Sequence, residues 1–179
     1  MRKIIESTLA SLDGVIEAPG AWTGDYFDSE AAQLAMDQLT ISDAMLMGKR
    51  TYQMFAAMWP AMTGAYADQM NSIRKYVFSS TLEKADWDNT TIVSGDVATE
   101  VSKLKQQDGQ DLIIYGHGPL RQTLLEHHLL DELRLWVHPL IVGVGGPFFR
   151  AGQNATLRLL GTTTLKNGVV ILTYQPAGT

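Results

Sequence analysis

Three short strings hold the residue types that could do chemistry, and each follows an apolar run that reads as a β-strand. Gly48-Lys49-Arg50-Thr51 joins a glycine, two cations and a hydroxyl where a helical pattern begins. Arginine offers phosphate a planar fork of donors and lysine a point charge, so the pair suits a phosphomonoester. Cations at a helix N-terminus oppose its dipole, which leaves two readings open, an anion clamp or a solvated charge pair. Ser79-Ser80-Thr81 sets three hydroxyls at a strand end, able to donate to phosphate or sugar oxygens or simply to form a polar turn. Gly116-His117-Gly118-Pro119 opens another helix with bare backbone N–H groups beside its positive end, which fits phosphate and fits a plain tight turn equally well. In open α/β sheets ligands gather at the carboxyl ends of strands, so three such ends together point towards a nucleotide-dependent enzyme.

Other chemistries find less support. His127 and His128 are adjacent and diverge on a helix, while His117 and His138 lack a second ligand at useful spacing, so no metal site is expected. There is no His-Glu-x-x-His and no Gly-x-Ser-x-Gly string, and the absence of cysteine removes thiolate chemistry. Asp13 in Ser11-Leu12-Asp13-Gly14 could deliver a proton, directly or through a water it orders, or could be an ordinary Asp-Gly turn. The eight methionines, Met45, Met47, Met54 and Met58 among them, read as core filler.

The elements that must position these groups alternate. Residues 3–10 read as a strand, followed by an irregular stretch as far as Tyr26 and a helix capped by Asp28 or Ser29. Ala44 to Met47 is a buried strand, and the next helix carries Tyr52, Phe55 and Ala56 inward before Pro60 stops it. Lys75 to Phe78 and Thr91 to Val93 are short strands, and Asp96 caps a helix marked by Val97, Val101 and Leu104. Leu112 to Tyr115 is a strand, Pro119 starts a helix running to about His128, and Leu133, Leu135 and Val137 alternate in a further strand. Leu157 to Leu165 and Val169 to Tyr174 flank Asn167-Gly168 as a hairpin. This order predicts one α/β domain over residues 1–179, with a largely parallel sheet and an antiparallel hairpin on one edge. A net charge of −5 argues against nucleic acid or an anionic membrane as partner. With no signal-like or membrane-spanning run, the expected setting is cytoplasmic.

With these residues in place, the chain resembles the dihydrofolate reductase superfamily, and more closely stand-alone relatives of the reductase half of the riboflavin-biosynthesis deaminase/reductase. The similarity rests on Ser11-Leu12-Asp13-Gly14, Met47-Gly48-Lys49-Arg50-Thr51-Tyr52 and Lys75-Tyr76-Val77-Phe78-Ser79-Ser80-Thr81. Its strongest part runs from Gly116 through Leu130-Asp131-Glu132-Leu133 to Gly143-Val144-Gly145-Gly146-Pro147-Phe148-Phe149. The resemblance implies a three-layer fold around a mixed sheet of about eight strands, binding NADPH across the strand ends. It implies that Gly48, Lys49, Arg50 and Thr51 meet the cofactor phosphates, with Ser79, Ser80 and Thr81 near the adenosine ribose and its 2′-phosphate. Gly116, His117, Gly118 and Leu120 would line the diphosphate. Ala10, Asp13, Gly14, Val15 and Ile16 would border the nicotinamide, with Trp22 at the substrate mouth. The implied activity is hydride transfer from NADPH to a C=N or C=O group of a small, pterin- or pyrimidine-like substrate. A non-catalytic dimeric nucleotide-binding protein and a weak dihydrofolate reductase are the alternatives. The resemblance also implies a homodimer built on Leu133 to Leu140. Where the family usually has Gly-Gly or Gly-Ser after the central strand, His117 follows Gly116; no carboxylate among Asp25, Asp28 and Glu30 completes the pterin motif, and the zinc-binding deaminase half is absent.

Overall fold

The computed structural model describes residues 1–116, 118–148 and 154–177, so the expectations for His117 and Phe149 lie outside the described residues. Eight strands form one sheet: β1 (Ile4–Ser11), β2 (Ser42–Gly48), β3 (Arg74–Phe78), β4 (Thr90–Val93), β5 (Asp111–Tyr115), β6 (Glu132–His138), β7 (Leu157–Thr164) and β8 (Val170–Pro176). Their order is β4-β3-β2-β5-β1-β6-β8-β7. The first six run parallel, and β8 and β7 are antiparallel at one edge, as the order of strand and helix signals implies. The hairpin turns where expected: Gly168 takes φ +90°, and Asn167 Oδ1 accepts from Val169 N at 3.1 Å. Strands sheltered on both faces need unbroken apolar runs, and Ala44-Met45-Leu46-Met47 and Leu112-Ile113-Ile114 are buried throughout.

Helices cover both faces. Against one face, α4 (Val97–Gln106) and α5 (Pro119–Glu126) bury Val101, Leu104, Leu120 and Leu124 on Ile4, Ala44, Leu46, Leu112 and Ile114. Against the other lie α1 (Ser29–Thr40), α2 (Lys49–Met58) and α3 (Ala65–Ser72), packed on Met45, Met47, Val77, Ile113 and Trp136. Asp28 caps α1 by accepting from Glu30 N and Ala31 N at 3.0 and 2.9 Å, and Asp96 caps α4 by accepting from Thr99 N at 2.9 Å.

Two expectations change. No helix was anticipated at Ala65–Ser72, because that stretch lacks a side-chain cap and a full apolar stripe; tertiary contacts hold it instead. The Lys75 ammonium satisfies carbonyls at its C-terminal end, donating to Asn71 O and Ile73 O at 2.7 and 2.8 Å, and ties them to Asp88 O at 3.0 Å. It also lies 4.2 Å from the centre of the Trp87 ring, and burial lowers its pKa to about 8. The methionines are not all core: Met45, Met47 and Met70 are buried, but Met54 and Met58 face solvent because the inward stripe of α2 is Tyr52, Phe55 and Ala56.

Candidate functional site

The site begins with a reversal in the sheet. β2 and β5 are parallel neighbours, with Leu46 beside Ile114, yet the helices that follow them leave for opposite faces. α2 packs Tyr52 on one side and α5 packs Leu120 and Leu124 on the other. Such a switch opens a crevice at the carboxyl ends of the two strands. Both helices begin differently from α1 and α4. Their N-caps are Gly48 and Gly118, neither has a side-chain cap, and neither carries an acid in its first turn. The first backbone N–H groups of α2 and α5 are thus left for an anion to satisfy.

The three strings of the sequence meet at this crevice. Thr51 Oγ1 lies 3.3 Å from where a Cβ on Gly116 would sit, so the loops after β2 and β5 touch. Gly116 takes φ +85°, a left-handed conformation that glycine adopts without penalty. Lys49 Nζ donates to Thr81 Oγ1 and Thr81 O at 2.8 and 3.2 Å, drawing in the loop after β3. That ammonium is shared with the loop, whereas Arg50 is exposed and forms no hydrogen bond or ion pair with a described residue. Ser79 Oγ accepts from Thr81 N and Leu82 N at 3.1 and 3.0 Å, which shapes the turn, and Ser80 is exposed beside it. Leu120 is buried in the core, so its backbone alone can serve the crevice. Gly48 and Gly118 border open space, since a Cβ on either would meet no atom within 4 Å.

β1 runs past the end of its neighbour. β5 ends at Tyr115, opposite Ser7, while β1 continues to Ser11 against β6. Thr8 to Ser11 therefore extend beyond β5 on that side. Ala10 is buried there, and its carbonyl lies 3.2 Å from His138 Nδ1. His138 is held edge-on by Trp22 and Tyr26, at centroid distances of 5.3 and 5.7 Å, and burial lowers its pKa. Trp22 donates its indole N–H to Glu17 O at 3.0 Å. On the same face the Tyr115 and Tyr66 hydroxyls are 3.3 Å apart, and burial raises both pKa values, so both phenols stay neutral hydrogen-bonding groups. Tyr66, Tyr115 and Tyr26 carry no site reading in the sequence, and His138 was weighed there only as a metal ligand. Tyr115 and His138 could have been singled out, since each ends a strand at the carboxyl edge.

The loop around Asp13 departs from expectation. Val15 and Ile16 are buried beneath it, Val15 bridging Pro147 and Ile16 N donating to Gly146 O at 3.1 Å. Gly14 takes φ +82° at its turn, and Gly14 O accepts from Phe148 N at 2.8 Å. Asp13 accepts from Ser11 Oγ at 2.6 Å, Gly143 N at 2.8 Å and Val142 N at 3.1 Å, which lowers its pKa to about 2. Asp13 thus clamps two loops as a carboxylate that accepts three hydrogen bonds, which fits the turn reading of the Asp-Gly pair.

The three-layer architecture is that of the dihydrofolate reductase fold. Residues 2–171 match the RibD C-terminal domain, and the chain belongs to that family. It is similar to the uncharacterized protein YyaP of Bacillus subtilis (strain 168), at 30% identity over 97% of this chain and 95% of that one. It is also similar to the uncharacterized protein YwjB of the same strain, at 27% identity over 90% and 91% of the two chains. A "pyrimidine reductase-like protein" of Corynebacterium diphtheriae shares the fold at TM-score 0.64 and 15% identity, over 99% of this chain and 93% of that one. A diaminohydroxyphosphoribosylaminopyrimidine deaminase/5-amino-6-(5-phosphoribosylamino)uracil reductase of Thermotoga maritima does so at TM-score 0.68 and 13% identity. This chain is covered to 98% in that match and the Thermotoga protein to 57%. Among the described residues no helix is long and apolar enough to cross a membrane.

Proposed function

We propose that this protein is an NADPH-dependent reductase that delivers hydride to a C=N or C=O group of a small, pyrimidine- or pterin-like ring. The observation that carries the reading is the pair of uncapped, glycine-started helices at the β2/β5 reversal, with Lys49 and Arg50 beside them. Those features fit a dinucleotide: bare N–H groups and two cations for its phosphates, and open space at Gly48 and Gly118 where a side chain would intrude. The nicotinamide, when bound, supplies the hydride. The chain's own part is to hold and orient. The first turns of α2 and α5 take the diphosphate, Arg50 and Ser80 reach for the 2′-phosphate, and the end of β1 beyond β5, Thr8 to Ser11, borders the reacting ring. Membership of the RibD C-terminal domain family and the reductase-named fold neighbours support the same reading.

Following NADPH absorbance across a panel of pyrimidine, pterin and simple carbonyl substrates tests the proposal. Steady oxidation above the rate without protein is the expected result. A non-catalytic nucleotide-binding protein is the second reading, favoured by the incomplete pterin carboxylate motif among Asp25, Asp28 and Glu30, and NADPH binding without oxidation of any substrate would select it. Dihydrofolate belongs in the panel; no turnover with it at saturating NADPH removes the folate reading.

Gly118→Ala gives a sharper check. Gly118 takes φ +138°, where an L-residue is strained by roughly 1–3 kcal/mol. The new methyl meets no protein atom, so it projects into the open space assigned to the diphosphate. NADPH affinity is expected to fall by about tenfold or more, in excess of what a modest drop in melting temperature predicts. Unchanged affinity would remove the diphosphate from this helix start.

The protein is further proposed to pair with a second copy through the sheet face that carries Leu133, Leu135, Val137, Leu172 and Tyr174. Leu133 and Leu135 are buried there against Ile16 and Phe148, but among the described residues no helix packs on the cluster. The partly buried Val137, Leu157, Leu172 and Tyr174 with the half-exposed Leu159 form its outer rim. Light scattering should give twice the chain mass, and Leu172→Lys should shift it to one chain.

A further inference from the structure

Between β1 and α5 lies an ion pair that the proposed chemistry does not use. Glu6 is 0% exposed and Arg121 5% exposed, and Arg121 Nε donates to Glu6 Oε2 at 2.9 Å. Thr8 Oγ1 donates to the other carboxylate oxygen at 3.2 Å. The guanidinium reaches further, lying 4.1 Å from the centre of the Phe148 ring, with Nη1 donating to Phe148 O at 3.4 Å. A buried pair is a poor source of stability, because desolvation of both charges offsets their attraction, so its placement asks for another reason.

The placement offers one. Arg121 sits in the first turn of α5, the helix whose start is assigned to the diphosphate. Phe148 follows Val142 and Gly143, which Asp13 clamps, and Phe148 N donates to Gly14 O. One side chain thus touches the helix at the anionic end, the central strand through Glu6, and the loop pair at the reacting end.

We propose that Glu6 and Arg121 are positioning residues: a buried strut that sets the start of α5 and the 142–148 segment in fixed relation on β1, so that occupation of the diphosphate end orders the loops beside the nicotinamide. This rests on the dinucleotide reading above. It predicts a linkage between two ends of the site that neither end would show if the pair merely filled the core.

The test uses 2′-phospho-ADP-ribose, which has the anionic part of the cofactor but no nicotinamide, and hydrogen exchange at the Ile16 and Phe148 amides. In the native protein the ligand should slow exchange at both by about tenfold. In the double variant Glu6→Leu/Arg121→Met the charges are replaced together by apolar groups of similar length, which commonly preserves stability. That variant should still melt cooperatively and bind the ligand, yet lose the added protection. Glu6→Gln, which keeps the side-chain shape, covers the case in which the double variant does not fold, and should lower the protection part of the way. Full protection in a folded variant would overturn the strut, as would no protection in the native protein with the ligand bound. If neither the ligand nor NADPH binds the native protein, the dinucleotide reading fails and the strut falls with it.

Discussion

Arg50→Ala is expected to erase the protein's preference for NADPH over NADH while leaving NADH affinity nearly unchanged. The two cofactors differ by the 2′-phosphate, so a residue that meets only that group affects one of them. Arg50 is exposed at the second position of α2 and makes no described ion pair, so the variant removes no internal support. A charge-assisted hydrogen bond contributes about 1.5–3 kcal/mol, or roughly 10- to 150-fold in affinity. Fluorescence titration of both cofactors against native protein and variant measures the ratio directly. Low salt sharpens the contrast, because exposed charges are screened over about 10 Å at 0.1 M. Lys49 is the weaker choice for this experiment, since its ammonium also holds Thr81 and its loss would move the β3 loop as well.

Arg121→Met alone should be among the most destabilising single changes in the chain, and its effect should grow with pH. Burial raises the Glu6 carboxyl to about 7, against the lowering pull of Arg121 and the hydrogen bonds from Arg121 and Thr8. A folded-state pKa above the unfolded value of 4.5 means that the folded state holds its proton longer. The stability this contributes is complete below about pH 4.5 and is lost as pH rises through about 7. Without Arg121 the carboxyl rises further, so the variant tolerates its lone acid while protonated and suffers once it must ionise. Breaking such a buried pair costs about 3–5 kcal/mol. Thermal melts should therefore show a small deficit near pH 5 and a large one near pH 8. A deficit that does not vary across that range would mean that Glu6 keeps one protonation state throughout.

Much of this fold is legible in the residues because its strands are buried on both sides. Ala44-Met45-Leu46-Met47 and Leu112-Ile113-Ile114 have no reason to be continuously apolar unless helices cover both faces, and Asn167-Gly168 marks the antiparallel edge by itself. The crevice was legible for the same reason: glycines and cations at strand ends are local signals. What escaped was set by contacts far apart in sequence. The helix at Ala65–Ser72 depends on Lys75 folding back on its carbonyls and on packing, neither of which leaves a periodic trace. The clamp that Asp13 makes was hidden for the same reason: beyond the neighbouring Ser11, its partners Val142 and Gly143 lie some 130 residues away. Glu6 and Arg121 gave no signal at all, one a lone acid in a strand and the other a helix residue of ordinary type.

Whether the β2/β5 crevice holds a phosphorylated dinucleotide is tested most directly by a paired calorimetric titration of NADPH and NADH with the native protein. NADPH binding at least tenfold tighter than NADH, with the difference shrinking as salt is added, is the predicted result. Equal affinities, or no heat with either cofactor, would contradict it and leave Lys49, Arg50 and the two uncapped helices without the ligand assigned to them.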